Sequence, residues 1–135
     1  MELVIYKLDE NKDSTGEIDK VYNIRELKMS IKIAKRILKV IPENTINTIF
    51  NLYTNSANNK NVDVVEYQNV VDILSDFIFD SFEIICPITQ ALLQHNKYYI
   101  ALDQIENIDI DTIVELYIVA LQYVFRKFIK TSKSN

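Results

Sequence analysis

Apolar residues recur three and four positions apart over much of this chain, which is the spacing that places side chains on one face of an α-helix. The first predicted helix starts at the capping box Asn23-Ile24-Arg25-Glu26 and stops at Pro42, because proline cannot continue the hydrogen-bond ladder. Its apolar face consists of Leu27, Ile31, Ala34, Leu38 and Ile41. A short second helix, predicted to start at Asn44 or Thr45, leads into the polar segment Asn55 to Asn61, the clearest loop of the chain.

The second half of the chain carries the strongest helical patterns. A third helix is predicted from a cap at Asp63 to Cys86-Pro87, with an apolar stripe opposite a face of aspartates. The stripe consists of Tyr67, Val70, Val71, Leu74, Phe77, Ile78 and Ser81. The stretch from Ile88 to Ile100 fits either a further helix over Thr89 to Gln94 or a packed loop, and a helix is predicted. The last helix, capped by Asp109 or Asp111, is apolar around much of its circumference, so we expect it to form the centre of the core.

Two N-terminal runs, Leu3 to Leu8 and Ile18 to Tyr22, are rich in β-branched and aromatic residues and flank a polar segment, a pattern typical of a β-hairpin. Two strands alone are marginally stable in water, so we expect the hairpin to lie on helices or to pair with a partner's strand. The chain is therefore predicted to be mainly α, a compact bundle of about four to six helices with a short β-hairpin within residues 1–22. One helical domain spans 1–130, and the polar tail 131–135 is expected to be disordered.

Composition favours a single intracellular domain. The chain has 135 residues, 48% of them hydrophobic, and only one Gly and two Pro, too few for the turns of a many-stranded sheet. Cys86 is the single cysteine, so no internal disulfide and no cysteine-based zinc site can form. The N-terminal strand lacks the basic region of a secretory signal, and aspartates interrupt the longest apolar stretch. We expect a cytoplasmic protein that does not cross a membrane.

Charge is distributed unevenly along the chain. Residues 24–41 carry six Lys or Arg against one Glu, whereas residues 62–83 carry six acidic residues and no basic one. The two helices should therefore attract each other, within one molecule or between copies. Lys28, Lys32, Lys35 and Lys39 share one face of the first helix, a surface of the kind that binds phosphates. The net charge of −4 and the lack of interleaved aromatics favour a solvated face, so we predict no nucleic-acid and no membrane binding.

Two groups of residues are candidates for chemistry. Asp72, Asp76 and Asp80 stand four apart on one helix, where their carboxylates cannot converge on a single cation, so a solvated face is the better interpretation. Cys86 and His95 offer a thiol and an imidazole, but the apolar residues beside Cys86 are typical of a buried hydrophobe. The sequence also has no nucleophile elbow, phosphate-binding loop or dinucleotide fingerprint. We predict no enzyme and no catalytic, metal or cofactor site.

The run Val70 to Phe82, followed by Ile100 to Asp109, resembles the tail assembly chaperones of long-tailed, siphovirus-type bacteriophages. In that family an acidic and aromatic helix end leads to a segment of the form T-hydrophobic-D-D-hydrophobic, then to a G-L-D turn and a last helix. Here Leu102-Asp103-Gln104-Ile105 occupies the segment, Asn107-Ile108-Asp109 the turn, and Asp111 to Ile129 the last helix. Asparagine thus replaces the family's glycine, and the segment Cys86 to Tyr99 is longer than in the family. The resemblance covers about half of the chain.

This resemblance implies a viral protein of the host cytoplasm that coats the tape-measure protein and recruits tail-tube subunits, and that is helical and often oligomeric. Such a chaperone needs an apolar groove or an exposed edge. The candidate partner-binding residues are Phe79, Tyr98, Tyr99, Tyr123, Lys28, Lys32 and Lys35. Of these, Phe79 and Tyr123 fall off the main stripes of their helices. Tyr67, Phe77 and Phe82 are further aromatic candidates, and we expect most of these aromatics to be core residues.

Two other hypotheses keep the same helices. In the first, the chain is a viral modulator of host signalling that resembles the Bcl-2-like proteins of poxviruses and binds a host helix or adaptor. That bundle would have about six or seven helices, with the apolar last helix at its centre. In the second, the lysines of the first helix make the chain a small nucleic-acid-binding regulator, which must then bind at low salt.

Overall fold

The computed structural model describes residues 1–57 and 64–129. Within these residues the strands are β1 (Glu2–Leu8) and β2 (Ser14–Asn23), and the helices are α1 (Ile31–Val40), α2 (Glu43–Ala57), α3 (Val64–Asp80), α4 (Phe82–His95), α5 (Leu102–Ile105) and α6 (Ile110–Val124). A π-helical turn, Phe125–Ile129, continues α6. The fold is mainly helical with an N-terminal antiparallel hairpin, which confirms the predicted fold class.

Helix α6 forms the centre of the core. It packs against α2, α3 and β1, and its residues Leu116, Tyr117, Ala120, Leu121 and Val124 are fully buried. A helix that is apolar over most of its circumference is stable only when other elements cover those sides, and in α6 the polar residues Glu115 and Gln122 are left exposed. The following residue, Phe125, is also fully buried and meets the ring of Phe50 edge-on, with 5.1 Å between ring centroids. The prediction of a central last helix is confirmed.

The hairpin lies on the helices through its first strand. Leu3 and Ile5 of β1 point into the core beside α5 and α6, whereas nearly all of β2 is exposed to solvent. The single glycine, Gly16, has φ +83° in β2, in the part of the hairpin where the register with β1 shifts. The predicted attachment of the hairpin to helices is therefore confirmed, and Leu3 and Ile5 are its buried side chains.

Two asparagine side chains attach the N-terminal half of the chain to the helices of the second half. Asn96 accepts a hydrogen bond from the Lys28 N–H at 2.8 Å and donates one to the Lys28 carbonyl at 2.8 Å. Asn107 accepts from the Ser14 N–H at 3.0 Å and donates to the Lys12 carbonyl at 3.0 Å. Both side chains therefore satisfy backbone groups as a neighbouring strand would. Asn107 fixes the hairpin turn to the connection between α5 and α6.

The first helix begins at Ile31, so the predicted capping box at Asn23 is wrong. The N-cap is Ser30, whose hydroxyl accepts the N–H of Ile33 at 3.2 Å. The preceding residues 24–30 lie over the bundle without forming a helix or strand, and they bury Ile24, Leu27 and Met29. Tertiary burial thus outweighs the local capping signal, because three core side chains are placed by a segment outside the helix.

This later start also changes which face of α1 is buried. The predicted stripe took its phase from Leu27, which is not in the helix, and Ile31 of that stripe is 62% exposed. The buried residues of α1 are Ile33, Ala34 and Ile37. Lys28 precedes the helix, so the predicted row of four lysines is reduced to the exposed residues Lys32, Lys35 and Lys39.

The third helix ends at Asp80, and the prediction that Cys86-Pro87 ends it is wrong. Ser81 breaks the helix, and α4 then runs through Pro87 to His95, so the helix predicted over Thr89 to Gln94 is the second half of α4. Pro87 is the sixth residue of α4, where its missing N–H removes one hydrogen bond, to the Glu83 carbonyl. Helix α4 nevertheless continues through Pro87, where both Glu83 and Pro87 are exposed, and the chain turns a corner at Ser81 instead.

Several predictions fall partly outside the described residues. Helix α2 continues through Ala57, so the start of the predicted loop is helical, while the rest of that loop, the cap Asp63 and the tail 131–135 lie outside the described part of the chain. The ion pair that the structure shows within 1–57 and 64–129 joins Lys12 and Asp103 at 3.8 Å on the surface. The basic and acidic helices thus form no such pair with each other there. Across the same residues, no helix combines the length and the apolarity that a bilayer crossing requires.

Candidate docking groove

An apolar groove opens where the end of α3, the first half of α4, α5 and the start of α6 meet. Its volume is about 440 Å³. It is lined by Ile78, Phe79, Phe82, Ile85, Cys86, Thr89, Ile105, Ile108, Ile110 and Ile113. Six of these residues are isoleucines and two are phenylalanines, so the wall is almost entirely hydrocarbon. We call this feature the Phe79 groove.

The corner at Ser81 creates the mouth of the Phe79 groove. Helix α3 ends just after Phe79, and α4 starts at Phe82. The ring at the end of one helix and the ring at the start of the next therefore line the same opening. Phe79 is 77% exposed, Ile110 41% and Phe82 38%. Exposed apolar surface of this kind costs about 25 cal/mol per Å² relative to burial, and a cluster of it beside a cavity marks a binding surface.

The floor of the groove satisfies its own polar groups. The Thr89 hydroxyl donates to the Ile85 carbonyl at 2.8 Å, and the Thr89 and Tyr117 hydroxyl oxygens are 2.8 Å apart. The Tyr117 hydroxyl is also 3.5 Å from the Ile85 carbonyl, so both hydroxyl protons have acceptors within this group of three residues. Tyr117 is fully buried, and this burial raises the pKa of its phenol. No hydroxyl donor of this pair is left to point at an occupant.

Cys86 lines the groove as a protonated thiol. Burial, followed by the carboxylates of Glu106 and Glu83, raises the pKa of Cys86 from its ordinary 9.0 to about 11. His95 lies nine residues further along the same helix, which is roughly 13 Å at the helical rise, and is exposed. The thiol and the imidazole are therefore too far apart to exchange a proton. The prediction of Cys86 as a buried small hydrophobe is confirmed.

The raised pKa of Cys86 predicts a loss of stability at alkaline pH. The folded chain holds the thiol proton more tightly than the unfolded chain, so the free energy of unfolding is full below about pH 9 and falls as the pH rises towards about 11. Urea denaturation at pH values from about 7.5 to 10.5 measures this fall. Cys86→Ala should show a smaller fall that begins about one pH unit higher, where the Tyr117 phenol of the unfolded chain starts to lose its proton while burial keeps the pKa of the folded chain's phenol raised. Equal falls in both proteins would contradict the assignment.

The groove is bordered by acidic residues. The two segments that line it, residues 78–89 and 105–113, contain Asp80, Glu83, Glu106, Asp109 and Asp111 and no Lys or Arg. All five carboxylates are on exposed residues. Within the described residues, no three His, Cys, Asp or Glu side chains gather as metal ligands. The mouth of the groove thus combines an apolar interior with a negative border.

The structure places one of the seven predicted partner-binding residues, Phe79, at this groove. Tyr98 is half-buried and meets Tyr22 edge-on at 5.1 Å, and Tyr99 is 71% exposed beside Gln90 and Gln94. Tyr123 is half-buried, with the Arg126 guanidinium 5.5 Å from its ring centroid. The remaining three, Lys28, Lys32 and Lys35, are exposed on and before α1. None of these six lines the groove.

The expectation that most candidate aromatics are core residues is wrong. Of the seven candidate aromatic residues, Tyr67, Phe79, Phe82 and Tyr99 are exposed. The other three, Phe77, Tyr98 and Tyr123, are half-buried. The isoleucines of α5 and of the turn that follows it line the groove but were not among the predicted partner-binding residues. The sequence pattern that could have indicated them is an isoleucine at every second or third position, at Ile105, Ile108, Ile110 and Ile113. These four residues do not share one face of a single helix.

Comparison with protein-family models, with curated proteins and with solved structures gives no match to this chain. The geometry of the Phe79 groove and its border therefore carries the functional argument.

Proposed function

We propose that this chain is a protein-binding assembly chaperone that holds an apolar segment of a partner protein in the Phe79 groove. The observation that carries the proposal is the exposure of Phe79, 77%, at the mouth of an apolar cavity. A ring held in water beside an open hydrocarbon wall is unfavourable until a second apolar surface covers it. Binding and not catalysis is the proposed activity, and it needs no cofactor.

The partner proposed is a phage tape-measure protein, to which the chaperone then recruits tail-tube subunits in the host cytoplasm. The two stretches that resemble tail assembly chaperones, Val70 to Phe82 and Ile100 to Asp109, contribute half of the residues that line the groove. The groove is open and of modest volume, which suits a chaperone that must release its partner when tube subunits replace it. Surfaces that exchange partners commonly bind with moderate affinity and remain partly open to solvent. The exposed residues at the mouth of the groove, Phe79, Phe82 and Ile110, form such an open rim, which we call its lip.

The host-signalling bundle is the second candidate function. The observations that favour it are the six helices of the described residues and the largely apolar α6 at their centre. It uses the same groove, with a host helix as the occupant. The two candidates therefore differ in the partner and share the surface.

Co-expression with the long coiled-coil product of the gene immediately downstream tests the proposal. We expect that protein to co-purify with the chaperone and to move from the insoluble to the soluble fraction. The variant Ile110→Asp places a charge on the lip of the groove, at the first residue of α6, where an acidic side chain suits the helix N-terminus. It should reduce co-purification at least tenfold, since a charge must be desolvated on binding.

Leu102→Asp is the matched control. Leu102 is the first residue of α5, is 36% exposed compared with 41% for Ile110, and does not line the groove. This variant should capture the partner as the natural chain does. Equal loss in both variants would place binding elsewhere. If the natural chain captures nothing and the downstream protein is soluble alone, the tail chaperone proposal fails and the host-signalling bundle is favoured.

A further inference from the structure

The Phe79 groove favours a helix over an extended peptide as its occupant. An extended segment brings unpaired backbone N–H and C=O groups, each of which needs a partner when buried. The groove wall consists of hydrocarbon side chains, a thiol and the Thr89 hydroxyl, whose proton is already donated to Ile85. A helix satisfies its own backbone and presents apolar anchors at every third or fourth residue. Such anchors match a cavity of about 440 Å³ with an aromatic lip.

The acidic residues that border the Phe79 groove create a negative electrostatic potential at its mouth. Two of its carboxylates, Glu106 and Glu83, lie close enough to the groove wall to raise the pKa of the Cys86 thiol. The other three, Asp80, Asp109 and Asp111, are neighbours in sequence of the exposed lining residues Phe79 and Ile110, and the Asp109 carboxylate also accepts a hydrogen bond from the Tyr6 hydroxyl of the hairpin at 2.8 Å. Their negative potential extends about 10 Å into solvent at 0.1 M salt. An occupant that covers the lip must therefore place its own flanking residues within this potential.

The positive N-terminal ends of the helices neutralise only part of the negative charge of these carboxylates. Glu83 and Asp111 are in the first turns of α4 and α6, where carboxylates stabilise the helix end. The two helix N-termini together supply roughly one positive charge, against five carboxylates. Asp80 is the last residue of α3, at the negative end of that helix, where an acidic residue is unfavourable. Its position is therefore not explained by the stability of α3, and it is next to the most exposed apolar side chain of the groove.

We infer that the Phe79 groove selects a partner helix whose apolar anchors are flanked by lysine or arginine residues. This inference rests on the proposed function and adds the charge of the partner to it. Apolar contact provides the affinity. The acidic border provides specificity between partners and a higher association rate. A helix with glutamates in the flanking positions has the same anchors but meets repulsion.

Two synthetic peptides test the inference with the full chain. Both are helical, about 20 residues long, and share the same Leu and Ile anchors; one has lysine and the other glutamate at the flanking positions. Fluorescence anisotropy of labelled peptide gives the dissociation constants. At about 50 mM NaCl the lysine peptide should bind at least tenfold more tightly than the glutamate peptide. At about 500 mM NaCl the difference should shrink to less than about threefold, because salt screens the border.

A pair of double variants locates the effect. Asp80→Lys with Glu106→Lys reverses two border charges, and the lysine at position 80 suits the end of α3, so folding is retained. Glu10→Lys with Glu17→Lys makes the same change in net charge on the exposed hairpin. The border variant should lose most of the preference for the lysine peptide, whereas the hairpin variant should keep it within about twofold. Thermal melting checks that both variants are folded.

Each outcome has a definite meaning. If neither peptide binds the natural chain at either salt concentration, the proposed function fails together with the inference. If both bind equally and without salt dependence, the groove holds apolar helices without charge selection, and only the inference fails. A preference for the glutamate peptide, or equal effects of the two double variants, also overturns the inference. So does a dimer in sedimentation velocity that the lysine peptide does not dissociate, since a second copy then fills the groove.

Discussion

Replacing Tyr117 by alanine should lower the free energy of unfolding by about 3–5 kcal/mol, the largest loss that we expect from a single substitution in this chain. Tyr117 is fully buried at the centre of α6, and its hydroxyl is paired with Thr89. The substitution removes an aromatic ring from the most tightly covered helix and leaves a cavity. Urea denaturation followed by far-UV circular dichroism measures the change.

Two further variants make this result interpretable. Tyr117→Phe retains the ring and should cost only about 1 kcal/mol, because Thr89 still donates to Ile85. It keeps the test informative if the alanine variant does not fold. Tyr99→Ala removes the same ring from a site that is 71% exposed and should change stability by less than about 0.5 kcal/mol. A loss for Tyr117→Ala no larger than for Tyr99→Ala would mean that α6 is not the centre of the core.

Replacing Phe79 by alanine should weaken partner binding by about 10- to 100-fold while leaving stability unchanged. Aromatic residues at the centre of an interface commonly contribute this much. Because the ring is 77% exposed in the free protein, its removal leaves no cavity. Isothermal titration with the co-purified partner measures the binding, and a thermal melt measures the stability.

Tyr99→Ala is again the matched control, since Tyr99 is nearly as exposed as Phe79 but lies beside Gln90 and Gln94, away from the groove lining. Its affinity for the partner should stay within about twofold of the natural chain. Full affinity in Phe79→Ala would remove the groove lip from the interface. A large loss in Tyr99→Ala alone would move the interface to the surface beside the end of α4.

The residues of the Phe79 groove explain how the fold produces its candidate function. The groove is formed by two segments, 78–89 and 105–113, which are separated by the 15 residues 90–104. Helix α4 forms part of both the groove wall and the core. Asn107 ties the second segment to the hairpin turn through Ser14 and Lys12. The N-terminal hairpin therefore supports one wall of the groove, although it contributes no side chain to its lining.

The sequence by itself determined the elements whose burial follows from local periodicity. Helix α6 was predictable because a helix that is apolar around much of its circumference requires a central position. The acidic face of α3 was predictable because helical spacing assigns its aspartates to one side, and the hairpin was predictable because two β-branched and aromatic runs flank a polar segment. Phe79 was predictable as an exposed ring for the same reason, since it falls off the apolar stripe of α3.

Only the tertiary structure decided where helices begin and break and which residues meet. The capping box at Asn23 does not start a helix, because the burial of Ile24, Leu27 and Met29 outweighs the local capping signal. The corner between α3 and α4 lies at Ser81 and not at Pro87. Both outcomes depend on contacts with residues far along the chain. The same holds for the groove, because periodicity tells which side of a helix is apolar but not whether another element covers it. The mouth at Phe79 and Phe82 is apolar surface that the fold leaves uncovered.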